Sequence, residues 1–97
     1  MTFVFDLDDT ILFSTYNDNK VYALKGHNKK VVESINKLYD DNTIIIHTAR
    51  HWNNLQLTIK QLKEIGCKYH TLVMGKPTGD YIVDDKALRP EEFLAIY

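Results

Sequence analysis

The stretch FVFDLDDTIL, Phe3 to Leu12, runs an apolar segment straight into three aspartates, Asp6, Asp8 and Asp9. Phe3 to Leu7 reads as a buried strand with carboxylates at its end. Like charges held together repel, and removing water makes the repulsion worse. Such a strand end calls for a cation, or for chemistry that uses the charge.

On the C-terminal side, STYNDNK is rich in turn formers and KVYAL after it suits a short strand. A small hairpin or flap is expected over about 11–25. HNKKVVESINKLYDDN then places Val31, Val32, Ile35, Leu38 and Tyr39 at helical spacing, with Asn28 as N-cap and Asp40-Asp41-Asn42 as the stop. TIIIH, Thr43 to His47, is the β-branched run of a strand buried on both faces. Asn53 or Asn54 opens the next helix, which carries Leu55, Ile59, Leu62 and Ile65 on one face and ends at Gly66. YHTLVM suits a third strand, DYIVDD a short fourth, and RPEEFLAIY a closing helix with Pro90 near its first position. Strands alternating with helices predict parallel pairing through right-handed crossovers. Ligands then bind beyond the carboxyl ends of the strands.

Composition sets the outer bounds. The 97 residues suit one domain, 1–97, with a modest core and no second, substrate-covering domain. A net charge of -1 provides no large basic field, so a dedicated nucleic-acid binder is not expected. Cys67 stands alone and suggests no oxidising compartment. No signal-peptide pattern and no apolar run near the ~20 residues of a membrane span are read, so a cytoplasmic protein without membrane contact is the expectation. Arginine occurs only at Arg50 and Arg89, which makes each position worth questioning.

Four expected strand ends meet at one edge: Asp6-Leu7-Asp8-Asp9-Thr10, His47-Thr48-Ala49-Arg50, Gly75-Lys76-Pro77 and Asp84-Asp85-Lys86. Mg²⁺ takes hard oxygen ligands and would relieve repulsion among Asp6, Asp8 and Asp84. Thr48 and Lys76 are then free to bind an anion, for which phosphate is the natural guest. A carboxylate facing phosphorus can act as nucleophile, and a second one two residues on can serve as general acid and base.

These residues resemble the motifs of the haloacid dehalogenase superfamily of phosphohydrolases. DLDDT resembles the first motif, with Asp9 where glycine is usual; IIIHT resembles the second, Lys76 the third and YIVDD the fourth. The resemblance covers Phe3 to about Lys86. It implies a three-layer Rossmann-like parallel sheet flanked by helices, without a cap domain. It also implies Asp6 as nucleophile, Asp8 as general acid/base, and Mg²⁺ held by Asp6, Asp8 through its carbonyl, and Asp84. Asp85 would support the ion through water or directly. Thr48 and Lys76 would bind the phosphoryl group, helped by backbone N–H groups from Leu7 to Asp9 and near Ala49. TAR together with GKPTGDYIVDDKA is similar to capless phosphatases of capsule and surface-polysaccharide biosynthesis, which implies a sugar phosphate or related ester. KGHNKK stands where a proline-led turn is expected. Capless members have open sites, so a homo-oligomer completing the site is compatible with the pattern.

Plainer readings stand beside these. Asp6 and Asp8 could form a solvated turn, Thr48 a helix cap and Lys76 an ordinary loop residue. Asp85 could merely orient a neighbour. Arg50 is either a substrate contact or a surface residue with an acidic neighbour, and His51 and Trp52 either form a stacking platform for a sugar or base or pack as a partly buried aromatic and its neighbour. Lys25, His27, Lys29 and Lys30 suit a solvated helix start, and His47 packs beside its strand. At the level of function, a small-molecule phosphomonoesterase leads. A polynucleotide end-processing phosphatase and a non-catalytic phospholigand-binding protein are the alternatives.

Overall fold

In a computed structural model, residues 1–16 and 22–97 are described. The apolar run before Asp6 forms strand β1 (Thr2–Asp6), and the hairpin strands are β2 (Leu12–Tyr16) and β3 (Tyr22–His27). Helix α1 (Lys29–Leu38) leads to strand β4 (Thr43–His47), and helix α2 (Leu55–Glu64) leads to strand β5 (Thr71–Val73). Helix α3 (Pro90–Ile96) closes the chain.

The chain does not fold as the three-layer Rossmann-like sheet that the motif pattern implied. Its parallel sheet has three strands in the order β1-β4-β5, and β2 and β3 form a separate antiparallel pair. DYIVDD, expected as a fourth strand, takes no strand structure. Tyr81, Ile82 and Val83 are 89, 68 and 96% exposed. Three apolar residues between Asp80 and the Asp84-Asp85 pair offer little surface to bury, and Pro77 and Gly79 break the chain just before them.

Strand β4 also differs from the doubly buried reading. Its register with β1 pairs Phe3 with Ile44 and Phe5 with Ile46. These four point to one side of the pleat, where Phe5, Ile44 and Ile46 are buried. On the other side Val4 is 55% exposed and Ile45 half-buried. One face of the sheet is therefore closed over the core and the other is not.

Helix α1 follows its sequence pattern: Val31, Val32 and Ile35 are buried, and the side-chain Oδ1 of Asn28 accepts from the Val31 amide at 3.2 Å. Gly66 takes the left-handed conformation at φ +69° after α2, which its lack of a Cβ allows. Helix α3 is seven residues long, too short to hold by itself. Phe93 anchors it, edge-on to Phe5 at 5.1 Å and to Phe3 at 6.3 Å. The hairpin spans Leu12 to His27, slightly beyond the expected 11–25, and residues 17–21, where its turn was expected, lie outside the described residues. No described helix is long and apolar enough to cross a membrane.

Candidate active site

Parallel pairing sets Asp6 opposite His47, so β1 and β4 end side by side. The chain leaving β1 turns at once. The carbonyl of fully buried Leu7 accepts from the amides of Ile11 and Leu12 at 2.9 and 3.0 Å. Asp9 takes φ +67° in this turn, a conformation that aspartate tolerates better than most side chains. The loops after β4 and β5 are zipped together: Thr48 N–H donates to the Val73 carbonyl and Lys76 N–H to the Thr48 carbonyl, both at 2.9 Å. Gly75, at φ +71°, makes the bend that returns Lys76 over the edge.

Lys76 Nζ lies 2.9 Å from Asp6 Oδ1, with the Lys76 side chain 14% exposed and that of Asp6 40%. Thr48 is 1% exposed, and its Oγ1 accepts from the Arg50 amide at 3.1 Å. That bond leaves the hydroxyl hydrogen able to donate elsewhere. Asp6, Asp8, Thr48, Ala49 and Lys76 line one open cleft of about 190 Å³, bounded on its far side by Pro77, Thr78, Gly79 and Ile82. Two carboxylates, an ammonium and a hydroxyl thus line one space that a phosphate-sized anion can enter. Burial and the nearby Lys76 charge push the His47 imidazole below its ordinary value of 6.5, against a smaller opposing effect of Asp6.

Asp8 is held differently. Both of its oxygens meet Arg50, Oδ1 with Nη2 at 2.8 Å and Oδ2 with Nε at 3.1 Å. Ser14 Oγ donates to Asp8 Oδ1 at 2.9 Å. A register shift in the hairpin falls between Phe13 and Ser14, at the residue that makes this contact. Arg50 is 1% exposed, so it is not the substrate contact that its position after Thr48 suggested. Its Nη1 donates to Thr58 Oγ1 and Gln61 Oε1, and its guanidinium carbon lies 4.2 Å from the Tyr22 ring centroid. Burial and the Asp8 charge raise the Tyr22 phenol above its usual range, with Arg50 acting against them.

Several expected site residues are placed elsewhere. Asp9 is exposed and its N–H donates to the Leu12 carbonyl at 2.8 Å, which removes it from a phosphate cradle. His51 is exposed, and its Nδ1 accepts from the Asn53 amide at the start of a short 3₁₀ turn, Trp52–Asn54. Trp52 is 57% exposed, with its ring beside Gly75. Asp84 and Asp85 are exposed and outside the cleft. The Lys86 amide, donating at 2.9 Å, and a hydrogen bond with Asp85 hold the Asp84 carboxyl below the usual carboxylate range.

A divalent ion with oxygen ligands needs several of them within ~2.6 Å. Among the described residues no group of three or more His, Cys, Asp and Glu side chains is gathered to hold one. Asp84 and Asp85 therefore stand apart from Asp6 and Asp8, and the four carboxylates are not gathered as one set. The reason is topological, since without a fourth strand nothing carries Asp84 to the edge where Asp6 lies.

Ser14, Tyr22, Thr58 and Gln61 escaped the sequence reading. A signal existed for two of them. Thr58 and Gln61 sit three apart on α2, next to the apolar positions Leu55, Ile59 and Leu62, and both are buried. Polar residues inside an apolar stripe ask for a buried partner.

No protein-family model matches the chain, and no curated protein matches it. Among solved structures, the chain is similar to the crystal structure of a target protein from Vibrio cholerae. The two share 22% sequence identity with a TM-score of 0.75, over 97% of this chain and 87% of that one. At that identity the likeness is one of fold.

Proposed function

We propose that the protein is a phosphomonoesterase with the chemistry of the haloacid dehalogenase superfamily. Its substrate would be a small phosphorylated metabolite, with sugar phosphates as the leading class, and its setting the cytoplasm. The observation that carries this reading is the Asp6–Lys76 pair, 2.9 Å apart, in one cleft with Thr48 and Asp8.

Lys76 and the Thr48 hydroxyl would bind the phosphoryl oxygens and offset charge as it builds on them. An Asp6 carboxylate oxygen would attack phosphorus while the bond to the leaving oxygen breaks, giving an aspartyl-phosphate and an alcohol. Asp8 would supply the proton to the leaving alcohol and recover one from the water that attacks the intermediate, which frees Asp6 and releases phosphate. Activation by Mg²⁺ is part of the proposal on the strength of the motif pattern; bound, it would add Lewis-acid stabilisation.

Phosphate release from an aryl phosphate, with Mg²⁺ and with EDTA, tests the reading in wild type and Asp6→Asn. The expected result is release in wild type, dependent on Mg²⁺, and none in the folded variant. Full activity in Asp6→Asn overturns the nucleophile. Sugar phosphates, nucleotides and 3′-phosphorylated oligonucleotides then separate the substrate classes.

A further inference from the structure

We propose that Arg50 is a positioning residue: it fixes the Asp8 carboxylate in one orientation and joins the β2–β3 hairpin to it, without touching substrate. The inference deepens the phosphatase reading and rests on it where turnover is concerned.

A guanidinium has five N–H groups in a fixed fork. Here each finds an acceptor within the protein. Nε donates to Asp8 Oδ2 at 3.1 Å, and Nη2 to Asp8 Oδ1 at 2.8 Å and to Ser14 Oγ at 3.5 Å. Nη1 donates to Thr58 Oγ1 at 3.1 Å and Gln61 Oε1 at 2.6 Å. The side chain is fully shielded from solvent, at 0% exposure. No donor is left for a ligand; the Tyr22 ring covers one face of the guanidinium, and the burial of the side chain closes the other.

The same group gathers three elements. Ser14 comes from β2, Tyr22 from β3, and Thr58 and Gln61 from α2. Gln61 Nε2 completes the connection by donating to the Tyr22 carbonyl at 2.9 Å. Asp8 is the one member that also lines the cleft. A bidentate fork leaves its carboxylate no free rotation, so whatever proton it moves is met at a fixed angle. A lysine would keep the charge and lose the fork.

The test pairs kinetics with a direct view of the guanidinium. In Arg50→Lys, a positioning role predicts kcat reduced by about tenfold or more, with KM changed by less than about threefold. A raised KM with kcat preserved is the signature of a lost substrate contact and overturns the proposal. NMR of the arginine Nε–Hε groups in wild type supplies the second readout. Arg50 Hε is expected to exchange with solvent far more slowly than that of exposed Arg89, and to shift in Asp8→Asn. Exchange as fast as that of Arg89 overturns the inference whether or not Arg50→Lys folds. If wild type turns over no phosphate ester, the phosphatase reading fails, and the NMR arm alone judges the Arg50–Asp8 lock.

Discussion

Asp6 and Asp8 are two residues apart in sequence, yet they depend on different partners. Asp6 faces Lys76 across a partly solvated pair, and such pairs contribute about 0–1 kcal/mol. Asp8 neutralises a guanidinium that is wholly out of water. Removing one side of a buried pair costs about 3–5 kcal/mol. With the Asp8 side chain 30% exposed, about 2–3 kcal/mol is the expected loss. Urea denaturation should therefore show Asp8→Asn well below wild type and Asp6→Asn close to it. Equal losses would mean that Arg50 is satisfied without Asp8. His47 adds a pH dependence. Its imidazole titrates lower when folded than its ordinary 6.5, so the unfolded chain binds its proton first. Its contribution is fully present above that value and declines as pH falls below it toward the folded pKa. Melting temperatures measured between pH 7.5 and 5 should fall more steeply in wild type than in His47→Gln.

At the scale of elements, the single-face burial of β4 assigns much of the stability to whatever covers that face. On the same side of the sheet, helix α3 covers β1 through Phe93, which is 6% exposed and meets Phe3, Phe5 and Tyr97. Phe93→Ala should cost about 3–5 kcal/mol, read as a lower urea midpoint, and should loosen the C-terminal helix first. Were the loss below about 1 kcal/mol, α3 would be a decoration on the sheet rather than a part of its core. The segment 80–85 makes the opposite case. Its apolar residues look like a strand when read alone, but a strand needs a neighbour, and pairing is a property of two segments at once.

For the whole molecule, what could be read beforehand followed periodicity. Val31, Val32 and Ile35 announce α1, Asn28 its start, Gly66 the end of α2, and the apolar run before Asp6 strand β1. Lys76 and Thr48 were legible as neighbours of Asp6 because parallel strands deliver their ends to one edge. The fate of Arg50 was not legible, since its partners Asp8, Ser14, Thr58 and Gln61 come from distant stretches and their convergence depends on tertiary packing. The three-layer sheet failed for a related reason. A motif names residue types in order, whereas layers depend on which faces find cover, and Val4 did not.

The register of β1 bears on how the chain comes to fold. Thr2 pairs with Thr43 and Asp6 with His47, while among the described strands β2 and β3 form a separate pair. During synthesis the first strand therefore leaves the ribosome with no partner, and waits through the hairpin and all of α1 before β4 arrives. Local pieces such as the hairpin and α1 can form early, but the sheet closes late, at the loop-closure cost of a long intervening segment. Through that interval the FVF run lacks its strand partner, which makes it a place where chaperone capture or aggregation of the nascent chain would begin.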